Sequence, residues 1–162
     1  MNLRTAIAAD IPLIMELERT CPTAAHWTQL QYSELFQAAG GAERLVLVAE
    51  ASSVASGTDG GSKSGLRLLG FLVARHLAPE WELENIAVAP DTRRQGIGER
   101  LLNALLTRAK ETNSEVVFLQ VRESNTAAMR LYEKAGFHQT GRRKSYYTQP
   151  QEDAILYRQE LS

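Results

Sequence analysis

With 162 residues, 44% of them apolar, and a formal net charge of −1, the chain has material for one core and no global field for nucleic acid. A lone cysteine, Cys21, excludes an internal disulfide, and histidines at 26, 76 and 138 lack partners at metal-ligand spacing, so no metal is expected. No apolar run is long enough to cross a bilayer and the N-terminus has no long apolar signal region, which makes the cytoplasm, with no membrane contact, the expected setting.

In chain order, Leu3 to Ile7 predicts a first strand, and Asp10 with Pro12 predicts the cap and first turn of a helix turning Ile14 and Leu17 inward. Thr28 caps a second predicted helix through Phe36, ended by Gly40-Gly41, and Leu45 to Ala49 reads as a strand. Residues 51–65, with four glycines and five serines, read as a flexible hairpin loop. Strands follow over Leu68–Leu77 and Trp81–Val88, then a helix over about Gly96–Glu111 whose Ile97, Leu101, Leu102, Leu105 and Leu106 recur at helical spacing. Val116–Leu119 suits a strand covered on both faces, Ser124 suits the cap of the next helix, and Gly136 suits its stop. Two strands, about 137–147 and 153–160, complete one α/β (α+β) domain over 1–162 with a mixed sheet.

The most informative stretch is Arg93-Arg94-Gln95-Gly96-Ile97-Gly98, set between an apolar strand and a helix. Glycines let the backbone approach a ligand, and a helix N-terminus offers unpaired N–H donors and partial positive charge, so the stretch reads as a phosphate or pyrophosphate site. No Lys-Ser or Lys-Thr follows as a Walker loop requires, and Leu101 stands where a dinucleotide fingerprint places its third glycine. For an isolated G-x-G a tight turn is the plainer reading; the arginines and the strand–helix setting favour the anion site.

The pattern Val88-x-Pro90-x-x-Arg93-Arg94-x-Gly96-x-Gly98 resembles the acetyl-CoA pyrophosphate motif of the GCN5-related N-acetyltransferase (GNAT) superfamily. Val121-Arg122-Glu123-Ser124-Asn125 with Leu131-Tyr132-Glu133-Lys134-Ala135-Gly136-Phe137 resembles its later motif, and the blocks together are most similar to the RimI type, ribosomal-protein alanine N-acetyltransferases. The resemblance runs from about residue 81 to the C-terminus. It implies a sheet of six to seven strands flanked by about four helices, and acetyl-CoA as co-substrate. It further implies acetyl transfer to the α-amine of a protein N-terminus, with the N-terminal alanine of a ribosomal protein as the acceptor of the RimI type, by a monomer or weak dimer.

On this resemblance the acetyl and pantetheine arm follows Ile86, Ala87 and Val88, the pyrophosphate lies on Arg94 to Glu99 beside Arg93, and Asn125 meets the pantetheine. Tyr132 becomes the proton donor to the leaving sulfur, although a tyrosine on an amphipathic helix otherwise reads as packing. The pattern breaks at Gln120, where RimI-type chains carry a glutamate; an amide cannot take up a proton usefully, but can orient a substrate or water. Deprotonation then falls to Glu82, the first choice, or Glu84, two carboxylates that share a side of a strand and otherwise read as solvent-facing. Trp27, Tyr146 and Tyr147 are candidates to line the acceptor groove or simply to pack at its rim. Cys21 reads as a small buried hydrophobe, which leaves direct transfer in a ternary complex. The rival readings are a lysine or small-amine acetyltransferase using the same cleft, and an acyl-CoA-binding module without turnover.

Overall fold

The computed structural model describes residues 1–37, 43–54 and 64–161. Seven strands form one sheet: β1 (Asn2–Thr5), β2 (Arg44–Val54), β3 (Ser64–Leu77), β4 (Glu80–Val88), β5 (Val116–Arg122), β6 (His138–Tyr147) and β7 (Glu152–Glu160). Their spatial order is β1-β2-β3-β4-β5-β7-β6. Among the described residues only the β4–β5 contact is parallel, because the intervening helix must return the chain to the same end of the sheet. Four helices cover the faces: α1 (Ile11–Arg19), α2 (Gln29–Glu34), α3 (Ile97–Glu111) and α4 (Thr126–Lys134). This is the mixed architecture that the sequence implied.

Alternation along the central strands builds two cores. Phe71 and Val73 of β3 face Ile14, Leu17 and Tyr32 of α1 and α2, whereas Leu72 and Ala74 face Leu101, Leu102 and Leu105 of α3. Each of these leucines is fully buried, a burial that contributes about 1.5–3 kcal/mol apiece.

Several expectations need correction. Ala51–Val54 and Ser64–Gly65 are strand rather than loop, paired from Ala51↔Arg67 to Val54↔Ser64, because Ala and Ser fit an extended ladder as well as a turn. The remainder of that expected loop, and the Gly40-Gly41 stop, lie outside the described residues. Asp10 precedes α1 but does not cap it; its carboxylate accepts from the Ile7 N–H at 2.8 Å and pairs with Arg4 at 2.8 Å. The cap of α4 is Asn125, not Ser124, with Oδ1 accepting from the Ala128 N–H at 3.2 Å.

The decisive irregularity is in β4. Val73 pairs with Asn85 and Ala74 with Leu83, so Glu84 is the extra residue of a β-bulge. On the other edge, pairing with β5 stops at Leu83↔Leu119. Beyond the bulge β4 and β5 diverge, and the main chain of Glu84 to Val88 faces an open V. Among the described residues no helix is long and apolar enough to cross a membrane.

Candidate active site

The loop between β4 and α3 turns on two left-handed residues, Arg94 (φ 64°) and Gly96 (φ 78°). The first helical turn closes with the Arg100 N–H on the Gly96 carbonyl at 3.0 Å. The main-chain N–H groups of residues 94–99 find no acceptor among the described residues, so six donors stand at a helix N-terminus. Gly98 is needed for packing: a Cβ there would lie 3.1 Å from Leu131 Cδ2 and 3.6 Å from Val88 Cγ2. These amides open into a cleft of about 570 Å³ lined by Ile86, Ala87, Val88, Arg93, Arg94, Gly96, Ile97, Gly98, Glu99 and Asn125. Of the residues expected to meet the co-substrate, only Gln95 is outside the lining, its side chain exposed to solvent.

The cleft mouth is cationic. Arg93, Arg94 and Arg130 have no carboxylate partner among the described residues, whereas Lys134 is paired with Glu99 at 3.2 Å. Arg130 and Lys134 escaped the sequence reading, although their i, i+4 spacing on α4 puts both on one face. An amide cradle, a β4 edge that β5 leaves without a strand partner beyond Leu83, and cations without carboxylate partners together fit a pyrophosphate with an extended amide-bearing arm.

At the apex of the V a smaller cavity of about 170 Å³ adjoins the cleft, and Thr23, Ala24, Ile86 and Asn125 line both. Glu84, Gln120, Tyr132 and Tyr147 come together there, from β4, β5, α4 and β6. Tyr132 packs on Phe137 and Tyr157 at ring-centroid distances of 6.0 and 6.1 Å, and its hydroxyl has no hydrogen-bond partner among the described residues. Burial, then the neighbouring Tyr147, pushes its phenol well above the ordinary value, so it stays protonated as a donor. Gln120 lines the cavity, and its Oε1 is buried without a hydrogen-bond partner among the described residues.

The structure separates the two carboxylates. Both reach Arg75, Glu82 at 2.6 Å and Glu84 at 3.7 Å, but only Glu84 lines the cavity. Burial raises the Glu84 carboxyl above the ordinary glutamate range; Arg44, at 2.9 Å, and Arg75 draw it back down, while Glu82 adds to the rise. Trp27 stands apart, its ring 5.5 Å from Tyr32, and Tyr146 is half exposed with its edge against Tyr147 at 5.1 Å. Neither lines the cavity. The wall residues Thr23 to Ala25 had no signal in the sequence, since the α1–α2 connection brings them in; Asn85 and Arg122 stand within the motif blocks without an expected role.

The basic run Arg142-Arg143-Lys144 is largely engaged at home: Arg142 pairs with Glu123 at 2.9 Å and Asp153 at 2.7 Å. Among the described residues no three metal-binding side chains cluster.

Comparison with known proteins agrees with this geometry. The family model described as "Acetyltransferase (GNAT) family" matches residues 11–137. The [Ribosomal protein bS18]-alanine N-acetyltransferase of Escherichia coli K12 is 39% identical over 92 residues, 56% of this chain and 62% of that protein. The N-alpha-acetyltransferase RimI of Mycobacterium tuberculosis is 38% identical over 104 residues, 62% of this chain and 64% of its own length. The chain therefore spans somewhat less than two thirds of the curated relatives it matches. Among solved structures, the Escherichia coli ribosomal-protein-S18-alanine N-acetyltransferase superposes with a TM-score of 0.75 at 27% identity, covering 99% of this chain and 94% of that one. Arabidopsis thaliana NAA60 in complex with acetyl-CoA shares the fold, with a TM-score of 0.80 at 18% identity over 99% of this chain and 98% of that one. The match across most of the chain, on the residues that build the cleft, makes this protein a member of the acetyltransferase (GNAT) family.

Proposed function

We propose that this protein transfers the acetyl group of acetyl-CoA to the α-amine of a protein N-terminus, with the N-terminal alanine of a ribosomal protein as the leading acceptor. One observation carries the reading: an amide-lined anion cleft meets, at the bulge of β4, a small cavity holding a protonated tyrosine and a half-buried carboxylate. The names of the RimI-type relatives point to the ribosomal acceptor.

In this reading the amides of residues 94–99 hold the pyrophosphate, with Arg93, Arg94 and Arg130 completing its charge balance. The edge of β4 at Ile86 to Val88, which has no β5 partner, runs beside the amides of the arm, and Asn125, its Oδ1 committed to capping α4, presents its NH₂. The acceptor amine enters the cavity and Gln120 Oε1 accepts an N–H from it. Glu84, through water, takes the proton that the amine must lose, a modest task because an α-amine has an ordinary pKa of about 7.7–8.0. The amine nitrogen bonds to the acetyl carbonyl carbon, the carbon–sulfur bond breaks, the Tyr132 hydroxyl donates its proton to the departing sulfur, and the second proton, shed by the acylated nitrogen, passes through water to restore the Tyr132 hydroxyl. Loss of the usual glutamate at Gln120 suits an α-amine better than a lysine side chain near 10.4.

A peptide panel tests the proposal: free and blocked N-termini, each with and without a lysine, with released thiol as readout. Turnover confined to free α-amines is the expected result. Turnover that follows the lysine assigns the side-chain acceptor instead, and acetyl-CoA binding without thiol release from any amine leaves a binding module.

A further inference from the structure

Residues 22–27, between α1 and α2, provide Thr23, Ala24 and Ala25 to the wall of the small cavity. Among the described residues no main-chain hydrogen bond joins this segment to the sheet, so its position depends on side chains. The strongest side-chain anchor nearby is not used by the chemistry above. Glu18, in the last turn of α1, is only 3% exposed within the apolar cluster of Ile14, Leu17, Cys21, Phe71 and Val73. Its Oε2 accepts from the Tyr32 hydroxyl of α2 and from Asn85 Nδ2 of β4 at 3.0 Å, and Asn85 Nδ2 lies 3.2 Å from the same hydroxyl. No lysine or arginine reaches it among the described residues.

A carboxyl without a cationic partner is a costly occupant for such a site, and an apolar residue would pack there at less expense. What the carboxyl secures is geometry. It joins three elements at one oxygen, and a fully satisfied buried network is rigid. Asn85 is itself a wall of the cavity, as are Thr23 to Ala25 of the 22–27 segment. Trp27 closes that segment by packing its ring 5.5 Å from Tyr32. Burial pushes the Glu18 carboxyl up, while Asn85, then His26, then the Trp27 main-chain amide oppose that rise.

We propose that Glu18 is a positioning residue that sets the width of the acceptor cavity, by tying α2 through Tyr32 and the β4 bulge through Asn85 to the end of α1, so that the Thr23–Ala25 wall limits the acceptor's first side chain to a small one. This inference rests on the reading of the cavity as the acceptor site.

Glu18→Ala, Glu18→Gln and Tyr32→Phe test it in the intact protein, with peptides beginning in alanine or leucine and with hydrogen exchange across residues 21–27. For Glu18→Ala, the KM of the alanine peptide should rise about tenfold, the scale of one lost hydrogen bond to a charged group, and the preference for alanine over leucine should collapse. Acetyl-CoA affinity should stay within about twofold, because the amide cradle is untouched. Exchange over 21–27 should quicken. Glu18→Gln, which keeps an acceptor oxygen, and Tyr32→Phe should show the same pattern more weakly, and they decide the matter if Glu18→Ala does not fold.

Unchanged peptide KM, selectivity and exchange in a folded variant overturn the proposal. Equal loss of both substrates also overturns it, since that marks general loosening. If the wild type acetylates no N-terminal peptide, the α-amine reading has failed; exchange over 21–27 then decides the tether alone, and unchanged protection in Glu18→Gln and Tyr32→Phe overturns that too.

Discussion

The Arg122 guanidinium lies 4.3 Å from the centroid of the Tyr147 ring, and the two side chains form one side of the cavity that Gln120 and Tyr132 share. Arg122 is also held by Glu152 at 3.3 Å, so the ring is braced from behind by a fixed cation. Such a contact is worth about 0.5–2 kcal/mol, and it fixes the position of the Tyr147 ring at the cavity; in the proposed reading that ring meets the incoming peptide. Tyr147→Phe keeps the ring and should leave the acceptor KM within about twofold. Tyr147→Ala should raise it roughly three- to thirtyfold with acetyl-CoA affinity unchanged. Steady-state kinetics with each substrate varied in turn reads the difference.

Gly96→Val should abolish acetyl-CoA binding while the protein stays folded. Nothing lies within 4 Å of a Cβ at Gly96, so crowding is not the problem; the φ of 78° is, because a β-branched residue there must leave the left-handed region and turn the amides away. Calorimetry with acetyl-CoA reads the result. Wild-type affinity in a folded variant would remove this loop from the binding site.

Tyr132→Phe retains the packing on Phe137 and Tyr157 and deletes a hydroxyl with no internal partner. Stability should therefore change little. If that hydroxyl protonates the sulfur, kcat should fall by about 10²–10⁴ with acetyl-CoA affinity kept. Near-normal turnover under single-turnover conditions would return Tyr132 to packing alone.

The two carboxylates make a pH experiment. Burial raises Glu84, so its deprotonated, proton-accepting form is lost on acidification earlier than an ordinary glutamate's would be. The wild-type rate should climb as pH rises through that raised value, then again as the amine itself deprotonates. Glu84→Gln should lose kcat/KM near neutrality and recover at high pH, where the free amine no longer needs a base. Glu82→Gln, outside the cavity, should keep the wild-type plateau and shift the acid limb toward lower pH, because Glu82 no longer adds to the rise of Glu84. The reverse result would make Glu82 the base.

Removing Arg4 should weaken the fold under acid and neutral conditions by different amounts. Its guanidinium joins Asp10 at 2.8 Å and Glu50 at 2.9 Å, both carboxylates being largely buried, and holds Asp10 below the ordinary aspartate range. Arg4→Met should cost about 3–5 kcal/mol near neutrality, because two buried carboxylates lose their cation. A depressed Asp10 contributes stability above its unfolded pKa and loses it as pH falls through the folded value. The gap between variant and wild type should therefore narrow in acid, as urea titrations at several pH values would show.

What the sequence determined by itself was local. The periodicity of α3, the alternation of β4 and β5, and the glycines and arginines at 93–98 depend on neighbours a few residues apart, and they placed the anion cleft before any packing was known. The resemblance singled out Tyr132 and Asn125 for the same reason, since a helix fixes the spacing between them, and both line the smaller cavity. Only the tertiary structure separates Glu82 from Glu84 in space: the bulge adds one residue to β4, pairing with β5 ends beside it, and Glu84 lines the cavity while Glu82 remains on Arg75. It alone joined Glu18 to Tyr32 and to Asn85, which is 67 residues from Glu18 along the chain. Register shifts and buried polar networks depend on what the facing element contributes, and that information is not carried in either segment's own periodicity.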